Sequence, residues 1–292
     1  MPRTRDPDEP KIYFLPNLMT ACNLACGFFA VLMIFNGLLE VAKYEDLSDK
    51  AYYEKIKPYY QYAILLIFGS CLFDLLDGRL ARLGGKESPF GQEFDSLADI
   101  ISFGMAPAML MAKAVLFPLA GKVGWGIALI YLICGAMRLA RFNCLANLPK
   151  KPNDSNDFRG LPIPMAAGFI ASLTFLIIDL YKNDIEIGPW RFVLGGAMLG
   201  LSLLMISSIP YPSFKKIDWR SRGTLPAILV TVVLILCIIE FRYKMAVVLF
   251  SAYLLYGMIR PWISQRIRRG IEEPLDDDDE EEDDDQTPPF TD

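Results

Sequence analysis

Asp74, Asp77, Asp95 and Asp99, within "DLLDGRLARLGGKESPFGQEFDSLAD", carry the most restrictive chemistry in this chain. They stand among strongly apolar segments, where an uncompensated charge is costly and an acidic side chain defaults to a functional role. A helix turns about 100° per residue, so positions three, four or seven apart share a face. Asp74, Asp77 and Ala81 meet that condition in the first half of the stretch; Gly91, Asp95 and Asp99 meet it in the second. Between the two halves, Gly84, Gly85 and Pro89 interrupt helix and favour a tight helical hairpin. Closing the hairpin brings both acidic faces together at a membrane surface. Four carboxylates so placed repel one another unless cations neutralise them.

The chain contains no histidine. That excludes Ser-His-Asp and Cys-His catalysis and any His-ligated zinc site, and leaves a carboxylate as the expected base. Oxygen donors without His or Cys select hard ions: Mg²⁺, Mn²⁺ or Ca²⁺. Two such ions bridged by shared carboxylates suit displacement at phosphorus, polarising phosphoryl oxygens and stabilising the attacking and leaving groups. Gly78 removes a side chain where a ligand must approach the helix, and Ala81 is similarly small. Arg82 is suited to bidentate phosphate contact, and Ser88 supplies a hydroxyl for a phosphate oxygen. A bland alternative treats the aspartates as solvated helix-end charges paired with Arg79, Arg82 and Lys86. The full spacing, D-x2-D-G-x2-A-R-x8-G-x3-D-x3-D, is too restrictive to favour it.

That pattern resembles the signature of the CDP-alcohol phosphatidyltransferases, integral membrane enzymes with a six-helix core. They displace CMP from a CDP-linked lipid with an alcohol, using divalent metal. The resemblance implies that Asp74, Asp77 and Asp95 hold one ion and that Asp74, Asp95 and Asp99 hold a second. It also makes Asp99 the proton acceptor and places Gly78, Ala81, Arg82, Ser88 and Gly91 around the CDP-lipid. "PNLMTACNLACG" resembles the family's PNxxT element, which adds Asn17 and Thr20 to the nucleotide site.

Four further stretches, "DSLADIISFGMAPA", "GAMRLARFN", "FRGLPIPMAAG" and "SSIPYPSFK", look like the bacterial-type phosphatidylserine synthases within that family. The implied reaction joins CDP-diacylglycerol and L-serine to give phosphatidylserine and CMP. Serine's carboxylate is most naturally recognised by arginine, which singles out Arg138 and Arg141; positive-inside anchoring explains them equally well. Ser102, three residues beyond Asp99, is positioned either to contact serine or to pack between helices. The same chemistry with glycerol 3-phosphate, an inositol phosphate or choline as acceptor is the nearest alternative. A cation transporter lined by aspartates is a more distant one, lacking evident inverted repeats.

The elements that must position these residues are membrane helices. The 292 residues are 53% hydrophobic with mean hydropathy +0.31. Apolar stretches long enough to cross about 30 Å of hydrocarbon recur eight times. They cover roughly 17–39, 59–82, 93–118, 124–146, 162–181, 190–209, 224–240 and 244–263. The expected architecture is therefore an all-α integral membrane protein: a cytoplasmic segment 1–15, a six-helix catalytic core 16–215, two additional helices in 216–265, and an acidic disordered tail 266–292. Spans seven and eight carry no polar motif and read as additions facing lipid. No cleavable signal peptide is expected, since an acidic, proline-containing leader precedes the first span.

Net charge, −5 overall, is deceptive, because thirteen acids lie beyond residue 271. Without them 21 acids face 29 bases, a body of charge +8 suited to anionic head groups. Alternate connections hold 19 and 10 of the Lys and Arg residues, which places both termini and the aspartate segment on the cytoplasmic side of the cell's inner membrane. The six cysteines lack a CxxC pattern and read as small buried apolar residues. Pro162 and Pro164 shape entry to the fifth span, and Pro210 and Pro212 end the sixth. Trp190, Trp219 and Trp262 read as interfacial belt residues. Gly195, Gly196 and Gly200 suit close helix packing, with a homodimer as one outlet. No nucleic-acid partner is expected.

Overall fold

A computed structural model describes residues 14–44, 49–83, 88–116, 122–146, 158–182, 188, 190–211 and 243–262. The helices are α1 (Phe14–Val41), α2 (Asp49–Leu83), α3 (Pro89–Asp99), a π-helical turn (Ile100–Met105), α4 (Ala106–Ala114), α5 (Lys122–Ala146), α6 (Ile163–Lys182), α7 (Trp190–Ile206) and α8 (Tyr243–Ile259). Five spans are long and apolar enough to cross a membrane, the third being α3, the π turn and α4 run together; α7 and α8 are shorter apolar helices. The seventh expected span, the acidic tail, Trp219, Pro212 and Cys237 lie outside the described residues. The helical membrane architecture is as expected. One two-residue antiparallel pair accompanies it, β1 (Phe158–Arg159) with β2 (Pro210–Tyr211).

Burial follows sequence period. On α1, Thr20, Asn23, Gly27, Ala30, Ile34 and Gly37 are buried at alternating steps of three and four, one stripe of a helix facing its neighbours. Phe28, Phe29, Phe35 and Leu39 point outward, as suits a lipid-facing side. The glycines in the stripe let backbones approach. A Cβ at Gly27 would collide with Ser102, and one at Gly37 with the Tyr60 ring.

The α3–α4 span forms the centre of the bundle: 67% of its apolar 18-residue stretch is buried, against 28% of the corresponding stretch of α1. Ser88 starts it as N-cap, its hydroxyl accepting from the Gly91 N–H at 3.0 Å, with Pro89 in the first turn, where no donor is required. The π turn has a local cause. Pro107 has no N–H to offer the carbonyl of Phe103 four residues earlier, and Tyr131 of α5 donates its hydroxyl to that carbonyl instead, at 3.0 Å.

The connections near Arg141 are stitched to one another. Gly160, with φ +85°, donates its N–H to Ile209 at 2.9 Å, and Leu161 donates to Leu204 at 3.1 Å. A Cβ at Gly160 would strike the Met205 carbonyl, so glycine is required there by both conformation and space. Pro162 precedes α6 and Pro164 lies in its first turn, as expected. Trp190 and Trp262 sit exposed at helix ends. Of the five described cysteines, all free, only Cys134 is buried; Cys144 is exposed, because it falls on the outward side of the last turn of α5.

Candidate active site

Three helices bring the acidic residues and their donors together. Asp74 and Asp77 come from the C-terminal part of α2, Asp95 and Asp99 from α3, and Asn17, Thr20 and Asn23 from the buried stripe of α1. One carboxylate oxygen from each of Asp74, Asp95 and Asp99 lies within 4.8 Å of the others. Asp77 stands beside this triad, within electrostatic reach of Asp95 and Asp74, and its Oδ2 accepts from the Thr20 hydroxyl at 2.7 Å. Asn23 donates its amide N–H to Asp99 Oδ1 at 3.1 Å.

These contacts assign different work to residues the sequence grouped together. Thr20 orients a carboxylate of the cluster, donating to Asp77, rather than standing free at a nucleotide. Asn23, which the sequence reading passed over, orients Asp99. Its signal was available: it is a polar residue in the heptad-like buried stripe, three positions after Thr20.

The cluster suits hard cations. All its donors are carboxylate oxygens, three converge from two helices, and Asp95 Oδ1 is buried without a hydrogen-bond partner. A buried lone acceptor of this kind needs an external partner, and a divalent ion held by oxygen ligands is the natural one.

Beside the carboxylates, Asn17, Ser88 and Gly91 converge. A Cβ on Gly91 would meet Ser88 Oγ at 3.2 Å and Asn17 Oδ1 at 3.3 Å, while Asn17 Nδ2 is buried without a partner. Ser88, expected as a phosphate contact, is engaged first as the α3 cap, and its own hydroxyl hydrogen remains to donate. A Cβ at Gly78 would meet nothing within 4 Å among the described residues. Ala81 and Arg82 continue α2, and their side chains lie outside the described set.

Three residues proposed for the acceptor separate. Ser102 is fully buried, donates to the Asn23 carbonyl at 2.9 Å and backs onto Gly27, so it packs α1 against the π turn, the second of the two roles its position offered. Arg141 donates to the Ile206 carbonyl at 3.0 Å and to Ser208 Oγ at 3.3 Å, closing the C-terminal end of α7. Arg138 is different. It is buried, lies within electrostatic range of Asp99 and Asp74, and its Nε has no partner. Asn143, in the "ARFN" stretch, ties α5 to α3 by donating to Ser96 at 3.0 Å and Glu93 at 3.3 Å.

Comparison with known proteins gives an independent view of this arrangement. A family model described as CDP-alcohol phosphatidyltransferase matches residues 13–206, which include all four aspartates. A Helicobacter pylori protein named CDP-diacylglycerol–serine O-phosphatidyltransferase is 33% identical over 258 residues, 88% of this chain and 94% of its own. A Bacillus subtilis protein of the same name is 34% identical over 70% of this chain and 92% of its own. An archaetidylserine synthase of Methanothermobacter thermautotrophicus is 34% identical over 68% of this chain and 69% of its own.

Proposed function

The chain belongs to the CDP-alcohol phosphatidyltransferase family, and from that premise we propose that it makes phosphatidylserine, transferring the phosphatidyl group of CDP-diacylglycerol to L-serine with release of CMP. It is a multi-pass membrane transferase of phospholipid synthesis. The observation that carries the reaction class is the convergence of Asp74, Asp95 and Asp99 from two successive helices. The choice of serine rests on what the named relatives use, two of them covered almost end to end.

Asp74, Asp77, Asp95 and Asp99 would hold two divalent cations, Mg²⁺ or Mn²⁺, with Ca²⁺ also compatible with the donor set. Such ions supply Lewis-acid polarisation of phosphoryl oxygens and neutralise charge on a departing phosphate. Asp99 takes the proton from the serine hydroxyl as that oxygen attacks the phosphorus bearing the diacylglycerol. Asn23, donating to Asp99 Oδ1, holds the carboxylate so that its other oxygen meets the proton. Asn17, Ser88 and Gly91 line the approach to the nucleotide, Arg82 grips its phosphate, and Gly78 leaves room for it. The lipid tails stay in the bilayer while the pyrophosphate reaches the carboxylates, and one site serving both substrates favours direct displacement. The enzyme works in the inner membrane with this site and both termini facing the cytoplasm. A homodimer belongs to the same reading, supported by the α7 face at Gly196 and Gly200, where a Cβ would meet no described atom within 4 Å.

The test is CMP release from CDP-diacylglycerol by the purified protein. Release should require both L-serine and added Mg²⁺ or Mn²⁺, and EDTA should abolish it. Equal release with glycerol 3-phosphate replacing serine would overturn the acceptor; undiminished release after chelation would overturn the metal site.

A further inference from the structure

Asn23 is the last polar residue of the buried α1 stripe, which Gly27, Ala30, Ile34 and Gly37 continue. A carbonyl in mid-helix ordinarily serves only the N–H four residues on. That of Asn23 also accepts from the Ser70 hydroxyl of α2 at 3.2 Å and from the Ser102 hydroxyl of the π turn at 2.9 Å. Gly27, one turn on, admits Ser102 this closely, since a Cβ there would collide with it. Two neighbouring elements thus grip α1 at Asn23 and fix where its side chain starts.

The side chain itself is fully buried, and its amide N–H reaches Asp99 Oδ1 at 3.1 Å. An ionised carboxylate only accepts, so the amide must turn its N–H groups to Asp99 and its oxygen to something else. That oxygen is buried and has no hydrogen-bond partner among the described residues. Both atoms belong to one small planar group, so the oxygen also lies beside Asp99. A buried acceptor left alone costs about 1–3 kcal/mol. Holding Asp99 does not require that cost: a hydroxyl holds Asp77, donated by Thr20 at 2.7 Å, one turn earlier on the same helix. An amide at position 23 adds an acceptor, and the acceptor needs a donor from outside the protein.

We infer that Asn23 is a specificity-determining residue of the acceptor site, its amide oxygen binding the ammonium group of an amino-alcohol acceptor while its N–H holds Asp99. The inference rests on the function proposed above and names one group that reads serine. The ammonium of serine is joined through two carbons to the hydroxyl that Asp99 deprotonates. It must therefore lie close beside Asp99, as the amide oxygen does. One side chain then fixes the base and the nucleophile in register, through a charge-assisted bond to each. The oxygen is neutral, so it takes up the ammonium without adding a further charge to four clustered carboxylates. Glycerol 3-phosphate and the inositol phosphates carry no such donor, and the quaternary nitrogen of choline has no N–H.

The experiment compares L-serine with 3-hydroxypropionate, which keeps the hydroxyl and the carboxylate and loses the amine. Asn23→Ala, Asn23→Leu and the unaltered protein are assayed for serine-dependent CMP release and for its competitive inhibition by 3-hydroxypropionate. The melting shift with CDP-diacylglycerol checks that each variant is folded. Loss of a hydrogen bond to a charged group predicts that serine KM rises about tenfold or more in both variants. The inhibition constant of 3-hydroxypropionate should barely move, a split that displacement of Asp99 alone would not produce. A serine KM that stays put, or one that rises in step with the inhibition constant, would overturn the ammonium site and leave the proposed reaction standing. So would an unchanged serine KM with a raised requirement for Mg²⁺, which would assign the oxygen to an ion. Unaltered protein that releases CMP without needing serine would overturn the reaction, and the ammonium site with it. Should 3-hydroxypropionate not compete even with the unaltered protein, serine KM decides; should one variant fail to fold, the other decides, since leucine keeps the volume that alanine gives up.

Discussion

At the scale of single residues, the pair Asn23 and Asp99 separates positioning from proton transfer. Asn23 donates to one oxygen of Asp99 at 3.1 Å, and its own amide oxygen has no hydrogen-bond partner among the described residues. Asn23→Ala should therefore lower kcat while leaving the KM for CDP-diacylglycerol in place. A hydrogen bond to a charged group is worth about 1.5–3 kcal/mol, which corresponds to a fall of roughly 10- to 150-fold. Asp99→Asn should still bind CDP-diacylglycerol, read by a melting shift, and lose turnover; near-normal turnover would remove Asp99 from the role of base. The aspartates were legible in the sequence because their spacing alone distinguishes them, and so was the glycine at 91. Asn23 was not, since it is one polar residue whose importance depends on a partner far along the chain. The contacts of Ser102 and Arg141 were hidden for a related reason: their types suit a serine substrate, and only the packing shows that they also bond Asn23 and α7.

Among the elements, the π turn after Asp99 has the sharpest consequence for the site. It lies in the most buried span, and the Phe103 carbonyl it exposes is satisfied by Tyr131 of α5. Tyr131→Phe removes that donor with little change of shape, leaving a buried carbonyl alone. The expected loss of stability is about 1–3 kcal/mol, read as a lower melting temperature in detergent. Because the turn begins at the residue after Asp99, kcat should fall as well, with smaller changes in either KM. A lowered melting temperature with full kcat would mean that Asp99 is held by Asn23 alone. Helix placement was readable from hydropathy, and seven of the eight expected spans match described helices to within a few residues at most ends. An exception is the α2 start at Asp49, ten residues before the apolar run, where the charged and tyrosine-rich first turns still pack through Tyr53, Ile56 and Tyr60. The π turn escaped hydropathy altogether: it depends on Pro107, and on a tyrosine that reaches it from another helix.

For the whole molecule, charge makes a prediction that no single contact carries. With 19 Lys and Arg on the connections of one side and 10 on the other, the positive-inside rule predicts that the termini and the aspartates face the cytoplasm. A green fluorescent protein fused after residue 292 should therefore fluoresce, and alkaline phosphatase at the same place should stay inactive; the reverse pattern would invert the assignment. The thirteen acids beyond residue 271 set the overall charge at −5, yet the rule weighs bases and gives acids little influence. Deleting residues 272–292 should thus preserve both reporter orientation and turnover. It should also strengthen association with vesicles rich in anionic lipid, because the remaining body carries a net charge of +8 and the acids that screened it are gone. Turnover lost on deletion, with orientation kept, would instead tie the acidic segment to the site itself, where it would compete with the four aspartates for the same hard cations.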